Sequence, residues 1–222
     1  MKFIATVLTG TILLFGSSSF AGGFAIGNGG DVVRCAVDGY YYSLDYLITR
    51  EQFVKAGKVR MKNVSESLLR IQSLIDQKIP SLSASFLHYR QLLTNTADFT
   101  KAYVWKSEDN LPDISDEEYV NYSGCTEAGY KGQFFQAIIR EKVSAPNSPA
   151  QVVFRFDPEV MKFIATNSLQ HSFLLVHEWL WNIAKDAIQN RQINYFLHSK
   201  QFELFSPEQI KAYFEKTGVK IN

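Results

Sequence analysis

The sequence predicts an α+β domain, a small antiparallel sheet covered by helices with a helical C-terminal third. Two observations carry that expectation. Runs rich in β-branched and aromatic residues, Asp31–Ala36, Lys101–Lys106, Gln133–Arg140 and Gln151–Phe156, occupy the first and middle parts of the chain. Apolar residues at helical spacing dominate residues 63–93 and most of the chain beyond Asp157. No segment repeats, so one domain, residues 22–222, is expected after an N-terminal export segment.

Residues 1–21 read as a signal peptide. Lys2 supplies the positive end, Phe3–Phe15 is mostly apolar, and the small residues Ser19 and Ala21 sit at −3 and −1 of a cut after Ala21. The apolar run is short for a hydrocarbon core about 30 Å thick, and no later stretch reaches transmembrane length. No cysteine stands at the cut to carry a lipid. The mature protein is therefore expected in the periplasm or outside the cell, with no transmembrane segment after signal removal. Of 23 Lys+Arg and 22 Asp+Glu, cleavage removes Lys2 and no acid, leaving 22 of each. A chain with no net charge lacks the basic excess that nucleic acid or anionic lipid selects. The partner expected is a protein or another envelope component, its identity unspecified.

Gly22–Gly30 is flexible by composition and leads into the strand Asp31–Ala36, with Asp38-Gly39 as a turn and Tyr40–Ser43 as the return strand. Leu44, Leu47, Ile48 and Phe53 predict a short helix ending near Gly57. Over residues 63–79, Val64, Leu68, Ile71, Ile75 and Ile79 align on one face, Asn63 is placed to cap, and Pro80 stops or kinks the helix. A second helix, Leu82–Leu93, completes a helical hairpin. Ser107–Glu118 is an acidic loop and Ser144–Pro149 a turn region. Asp157-Pro158 opens a short helix. Ser168–Lys185 comes next, burying Leu169, Phe173, Val176, Leu180 and Ile183, then Ile188–His198 and a last helix from Ser206-Pro207 to about Lys216, halted by Gly218.

The two cysteines, Cys35 and Cys125, both belong to the mature part. An even count in an oxidising compartment predicts a disulfide, and closing so long a loop is worth about 4–5 kcal/mol in the chain-entropy model.

One local pattern carries possible chemistry: His177-Glu178-Trp179-Leu180-Trp181 on a helix. It begins like the zincin signature, in which two histidines at i and i+4 bind zinc and the glutamate between them is the general base. The second imidazole's place is taken by Trp181. The other histidines are His88, His171 and His198, and no further ligand set is evident, so no cofactor is assigned and the metal content is left open. His177 and Glu178 are the catalytic candidates. The competing reading is a half-buried polar cluster, with Glu178 accepting from Trp181 or from a partner on Ile188–His198, and His177 bonded to a backbone carbonyl. A serine hydrolase elbow is absent, Ser172 having no glycine flanks, and Gly27-Asn28-Gly29-Gly30-Asp31 lacks the Gly-Lys-Ser/Thr ending of a phosphate loop. Asp109, Asp113 and Asp116 do not match EF-hand spacing.

Gly27-Asn28-Gly29-Gly30-Asp31-Val32-Val33-x-Cys35 soon after a signal peptide resembles a group of secreted proteins of unknown function from predatory Gram-negative bacteria. Gly124-Cys125 before the strand residues Gln136–Arg140, His177-Glu178-x-Leu180-Trp181, and the polar–aromatic segment Asn190–Ser199 are similar to features of that group. The resemblance implies export and a shared His-Glu helix, and supplies no reaction. It also implies a hydroxyl residue and an Arg where this chain has Asn190 and Asn194. Two functional readings result: a secreted or periplasmic binding or envelope-associated module, or, as the alternative, a hydrolase centred on His177 and Glu178, metal-dependent if further ligands join them.

Overall fold

The computed structural model describes residues 24–25, 30–93, 103–112, 125, 132–143 and 151–221. The signal segment, Gly27–Gly29, Asp113, Asp116–Glu118 and the turn at Ser144–Pro149 lie outside the described residues. The architecture is α+β, as expected. The strands are β1 (Phe24–Ala25), β2 (Gly30–Arg34), β3 (Tyr41–Ser43), β4 (Tyr103–Ser107), β5 (Gln133–Val143) and β6 (Gln151–Phe156). They form one sheet in the order β3-β2-β5-β6-β4, and β1 extends the β2 edge by pairing with the far end of β5. Every pairing is antiparallel except that of β4 with β6. β5 and β6 pair as antiparallel neighbours, and β4, running in the direction of β6, takes the edge of β6 that is left. The sheet is therefore mixed at that one margin.

The helices are α1 (Leu44–Lys55), α2 (Val64–Lys78), α3 (Pro80–Leu93), α4 (Pro158–Ile164), α5 (Ser168–Leu180), α6 (Ala187–His198), α7 (Lys200–Leu204) and α8 (Pro207–Lys216). Their ends obey local chemistry. The Asn63 side chain accepts from the Glu66 amide at 2.8 Å, and the Glu66 carboxylate reaches back to the Lys62 amide at 2.7 Å. Pro80 opens α3 instead of merely ending α2, because a first-turn residue has no intrahelical N–H bond to lose. Asp157 accepts from two first-turn amides of α4, and Ser206 with Gln209 forms a capping box on α8. α5 ends at Leu180, short of the expected Lys185. The Asn182 side-chain amide takes the Trp179 carbonyl at 2.8 Å, and the chain turns there.

Cys35 and Cys125 form the expected disulfide, with their Cα atoms 4.7 Å apart. The bond ties the residue after β2 to a distant part of the chain beside a buried cluster of Val33, Leu44, Phe53 and Phe173. The larger core holds Ile71, Ile75 and Phe86 of the helical hairpin, Ile138 and Phe154 of the sheet, and Phe196 and Phe214 of the C-terminal helices. α5 is the element that places the site. It packs against α1, α2, α4 and α6 and against β2 and β3. Every residue from Ser172 to Leu180 is consequently buried, a wider burial than the single apolar stripe of the sequence implies. β2 comes so close to α5 that a Cβ on Gly30 would meet Leu174 and lie 2.9 Å from Glu178 Oε1, so a larger residue here would have to displace both buried side chains.

Candidate functional site

The adjacent residues His177 and Glu178 leave α5 toward different neighbours. His177 points at the seam between α1 and α6. Its Nδ1 lies 2.8 Å from Asp45 Oδ2, and the Trp181 indole N–H donates to its Nε2 at 3.0 Å. A ring nitrogen that accepts an N–H carries no proton, so the imidazole is neutral and its Nδ1–H donates to Asp45. The nitrogen that a zinc ion or a proton acceptor would use is thus occupied from within the same helix. The sequence leaves Trp181 as a non-ligand standing where the second histidine belongs. In the structure it also covers the first.

Asp45 organises this seam. It sits in the first turn of α1, where a negative charge suits the helix dipole, and is 2 % exposed. Asn194 of α6 donates its side-chain amide to Asp45 Oδ2 at 2.6 Å and to the Phe173 carbonyl at 2.9 Å, while Arg191 Nε stands 3.4 Å from Oδ1. Asn190 donates to the His177 carbonyl at 3.0 Å. Burial pushes the Asp45 carboxyl upward, but its neighbours His177, Arg191 and Asn194 outweigh that and hold it below its ordinary value.

One turn earlier on α5 lies a second buried network. Ser67 and Ser172 share a hydrogen bond of 2.7 Å, and Ser172 Oγ is 2.8 Å from His198 Nε2. His198 Nδ1 is 2.9 Å from the Asn194 carbonyl, which can only accept, so Nε2 accepts from Ser172. Burial lowers the His198 pKa to about 3. A serine beside a neutral histidine is the pairing of a nucleophile with its base, but Ser172 is 0 % exposed and Phe173 stacks on the imidazole at 4.1 Å. No substrate reaches it.

Glu178 faces the sheet. It is 0 % exposed, close to the Gly30 backbone, and neither carboxyl oxygen has a hydrogen-bond partner that satisfies full geometry among the described residues. Desolvation raises its pKa to about 7, with His177, Arg140 and the Gly30 amide opposing the rise. Arg140 itself donates to Asn182 at 2.7 Å. Trp181 does not bond Glu178, and His177 takes a carboxylate instead of the expected backbone carbonyl.

The remaining histidines are dispersed. His171 is half-buried on α5, His88 is exposed on α3, and His198 belongs to the serine network. Among the described residues no group of three or more His, Cys, Asp or Glu is arranged to hold a metal ion, and no helix is long and apolar enough to cross a membrane. His171 instead lines a cavity of about 440 Å³. Its apolar wall comes from Val64 and Leu68 of α2, Leu175 of α5, Met161 of α4, Trp105 of β4 and Phe156 of β6. Arg90 and Gln91 of α3 and the exposed Ser65 of α2 add polar groups, and Leu93 of α3 a further apolar one. No family model, no curated protein and no solved structure matches this chain.

Proposed function

We propose that the protein is a binding module of the periplasm or the exterior, and that it holds an apolar ligand in the cavity bounded by α2, α3, α4, α5 and the β4–β6 margin. The observation that carries this reading is the cavity itself. Its size falls in the range of small-molecule sites, roughly 300–1,000 Å³, and its wall is apolar with a few polar groups. The catalytic alternative has less support, because His177 and the Ser172–His198 pair are buried and hydrogen-bonded internally. The export part of the proposal rests on the N-terminal sequence, and on the resemblance to secreted proteins of predatory bacteria.

Binding is tested with an uncharged fluorescent naphthylamine, whose emission rises in apolar surroundings. Saturable enhancement is expected for the wild type and its loss for Ser65→Trp, which places a large ring at the exposed rim of the cavity. A folded Ser65→Trp protein with unchanged binding would remove the cavity from the proposal. N-terminal sequencing of the protein recovered from the envelope or medium tests export; Gly22 is the expected first residue. Hydrolysis of ester or peptide substrates by the wild type, abolished in a folded Glu178→Gln protein, would move the assignment to the hydrolase reading.

A further inference from the structure

We infer that the protein attaches peripherally to an anionic lipid surface through the segment joining α1 to α2, with Lys200 of α7 beside it. The balanced total charge hides this patch. Lys55, Lys58, Arg60 and Lys62 fall within eight residues that hold no acid. All four are exposed, and among the described residues none of their side chains makes an ion pair or a hydrogen bond. α7 adds a fifth cation. The Lys200 and Gln201 amides donate to the Gly57 and Ala56 carbonyls at 2.8 and 3.1 Å, and a Cβ on Gly57 would lie 3.0 Å from Lys200 Cβ. These bonds hold the exposed Lys200 against the middle of the segment.

The acids close to this stretch are too few to cancel it. Counted against Glu51 and Glu66 at its two ends, the five cations leave an excess of three positive charges. Glu66 also turns its carboxylate onto the Lys62 amide at 2.7 Å, and Glu203 of α7 pairs with Arg70 at 3.3 Å. Apolar side chains share the same surface. Val59 and Met61 alternate with Lys58, Arg60 and Lys62 and are only half-buried. Val54, 47 % exposed, precedes Lys55, and Leu204, 79 % exposed, lies one turn from Lys200 on the same helix face. Cations interleaved with apolar groups suit a headgroup layer, where phosphates receive the cations and the apolar side chains enter the acyl boundary. A nucleic acid offers the phosphates without that apolar layer, and residues 55–62 present no aromatic ring for a base to stack on.

The test floats the mature protein with lipid vesicles at pH 7.5. At low salt, vesicles of equimolar phosphatidylglycerol and phosphatidylcholine are expected to take it up at least roughly tenfold better than phosphatidylcholine alone, each cation near the surface being worth about fivefold. At about 0.5 M salt the preference is expected to vanish, because screening shortens the electrostatic reach to a few ångströms. Lys58→Glu combined with Arg60→Glu is expected to abolish the preference. The same charge change on α8, Lys211→Glu with Lys216→Glu, is expected to leave most of it. Circular dichroism melts show that both variants are folded, and the comparison of the two vesicles on the wild type needs no variant. Equal uptake by the two vesicles would overturn the attachment, and an equal loss in the α8 variant would overturn its placement on residues 55–62. Tighter binding to duplex DNA than to the anionic vesicles, lost in the Lys58→Glu, Arg60→Glu protein, would overturn the lipid assignment in favour of a nucleic acid. The attachment requires no occupant of the cavity, so its failure leaves the naphthylamine result standing.

Discussion

His177 and Glu178 are neighbours on a single helix, yet the regions they enter are built in opposite ways. On the α1–α6 side every atom of the imidazole that can bond does so, through Asp45 and Trp181, and Asp45 is in turn held by Asn194 and Arg191. On the sheet side the Glu178 carboxyl is equally buried and has no such partners among the described residues. Burial alone therefore does not define a polar site. The first region stabilises its charge by pairing; the second tolerates a carboxyl by favouring its protonated form. A mutation that removes a partner should be severe in the first region, and one that removes a charge should be favourable in the second.

The largest effect is expected from Asp45→Ala. It leaves the His177 Nδ1–H and the Asn194 amide short of an acceptor and Arg191 without its carboxylate in a site closed to water. Breaking a buried charged pair from one side costs about 3–5 kcal/mol, and at roughly 2–4 °C per kcal/mol the melting temperature should fall by about 6–20 °C. Asp45→Asn, which keeps an acceptor oxygen, should recover part of the loss. A melting temperature within a degree or two of wild type for Asp45→Ala would break the contrast between the two regions.

Glu178→Gln comes next, and its sign depends on pH. The Glu178 pKa rises from 4.5 to about 7 on folding, so the folded protein keeps a proton that the unfolded chain releases. That contribution is fully present below pH 4.5 and is lost as the pH rises through 7. Summed over the shift, the loss is about 3 kcal/mol at pH 8. His198 acts in the other direction. Its folded value is about 3 against an ordinary 6.5, so its contribution is present above pH 6.5 and is lost as the pH falls toward 3. From pH 4.5 to 6.5 the two slopes oppose each other. Glu178→Gln should match the wild type near pH 4.5, exceed it by about 3 kcal/mol at pH 8, and show a stability that falls on acidification below pH 6.5. Urea unfolding at pH 4.5, 5.5, 6.5 and 8 reads all of this; parallel pH profiles for variant and wild type would mean that Glu178 does not carry the proton.

The features legible in the sequence were those that local chemistry determines. Asn63, Ser206 and Asp157 announce helix starts within four residues of themselves, the apolar spacing on α2 survives unchanged, and the two cysteines had one partner each. The polar seam was not legible. Asp45 looks like an ordinary first-turn acid, and 132 residues separate it from His177, with no pattern linking them. Asn194 carries no local signal of its role in the sequence, although it is the residue that bridges α6 to both Asp45 and α5. The parallel margin at β4 was hidden for a related reason: strand content is local, whereas the choice of edge depends on which strands have already paired. The cavity was equally unreadable, since its lining residues are gathered from α2, α3, α4, α5, β4 and β6, far apart in the chain.

The smallest effect belongs to Trp181→Phe, and it separates the roles of the two groups that hold His177. A phenyl ring keeps an aromatic edge near the imidazole, where the ring centroids lie 5.7 Å apart at 81°, and removes the indole N–H with part of the bicyclic ring. One neutral hydrogen bond is lost, worth about 1 kcal/mol, so the melting temperature should fall by roughly 2–4 °C. The Nδ1–H bond to Asp45 stays, and with it the orientation of the ring. Imidazole ¹⁵N resonances should therefore report the same Nδ1–H tautomer in both proteins at pH 7.5, with the Nε2 signal shifted in the variant because its donor is gone. Zinc should remain substoichiometric, because an uncovered Nε2 still lacks companion ligands among the described residues. A loss of stability larger than that of Asp45→Ala, or a change of tautomer, would mean that the tryptophan and not the carboxylate fixes His177, and the seam would then be organised from within α5.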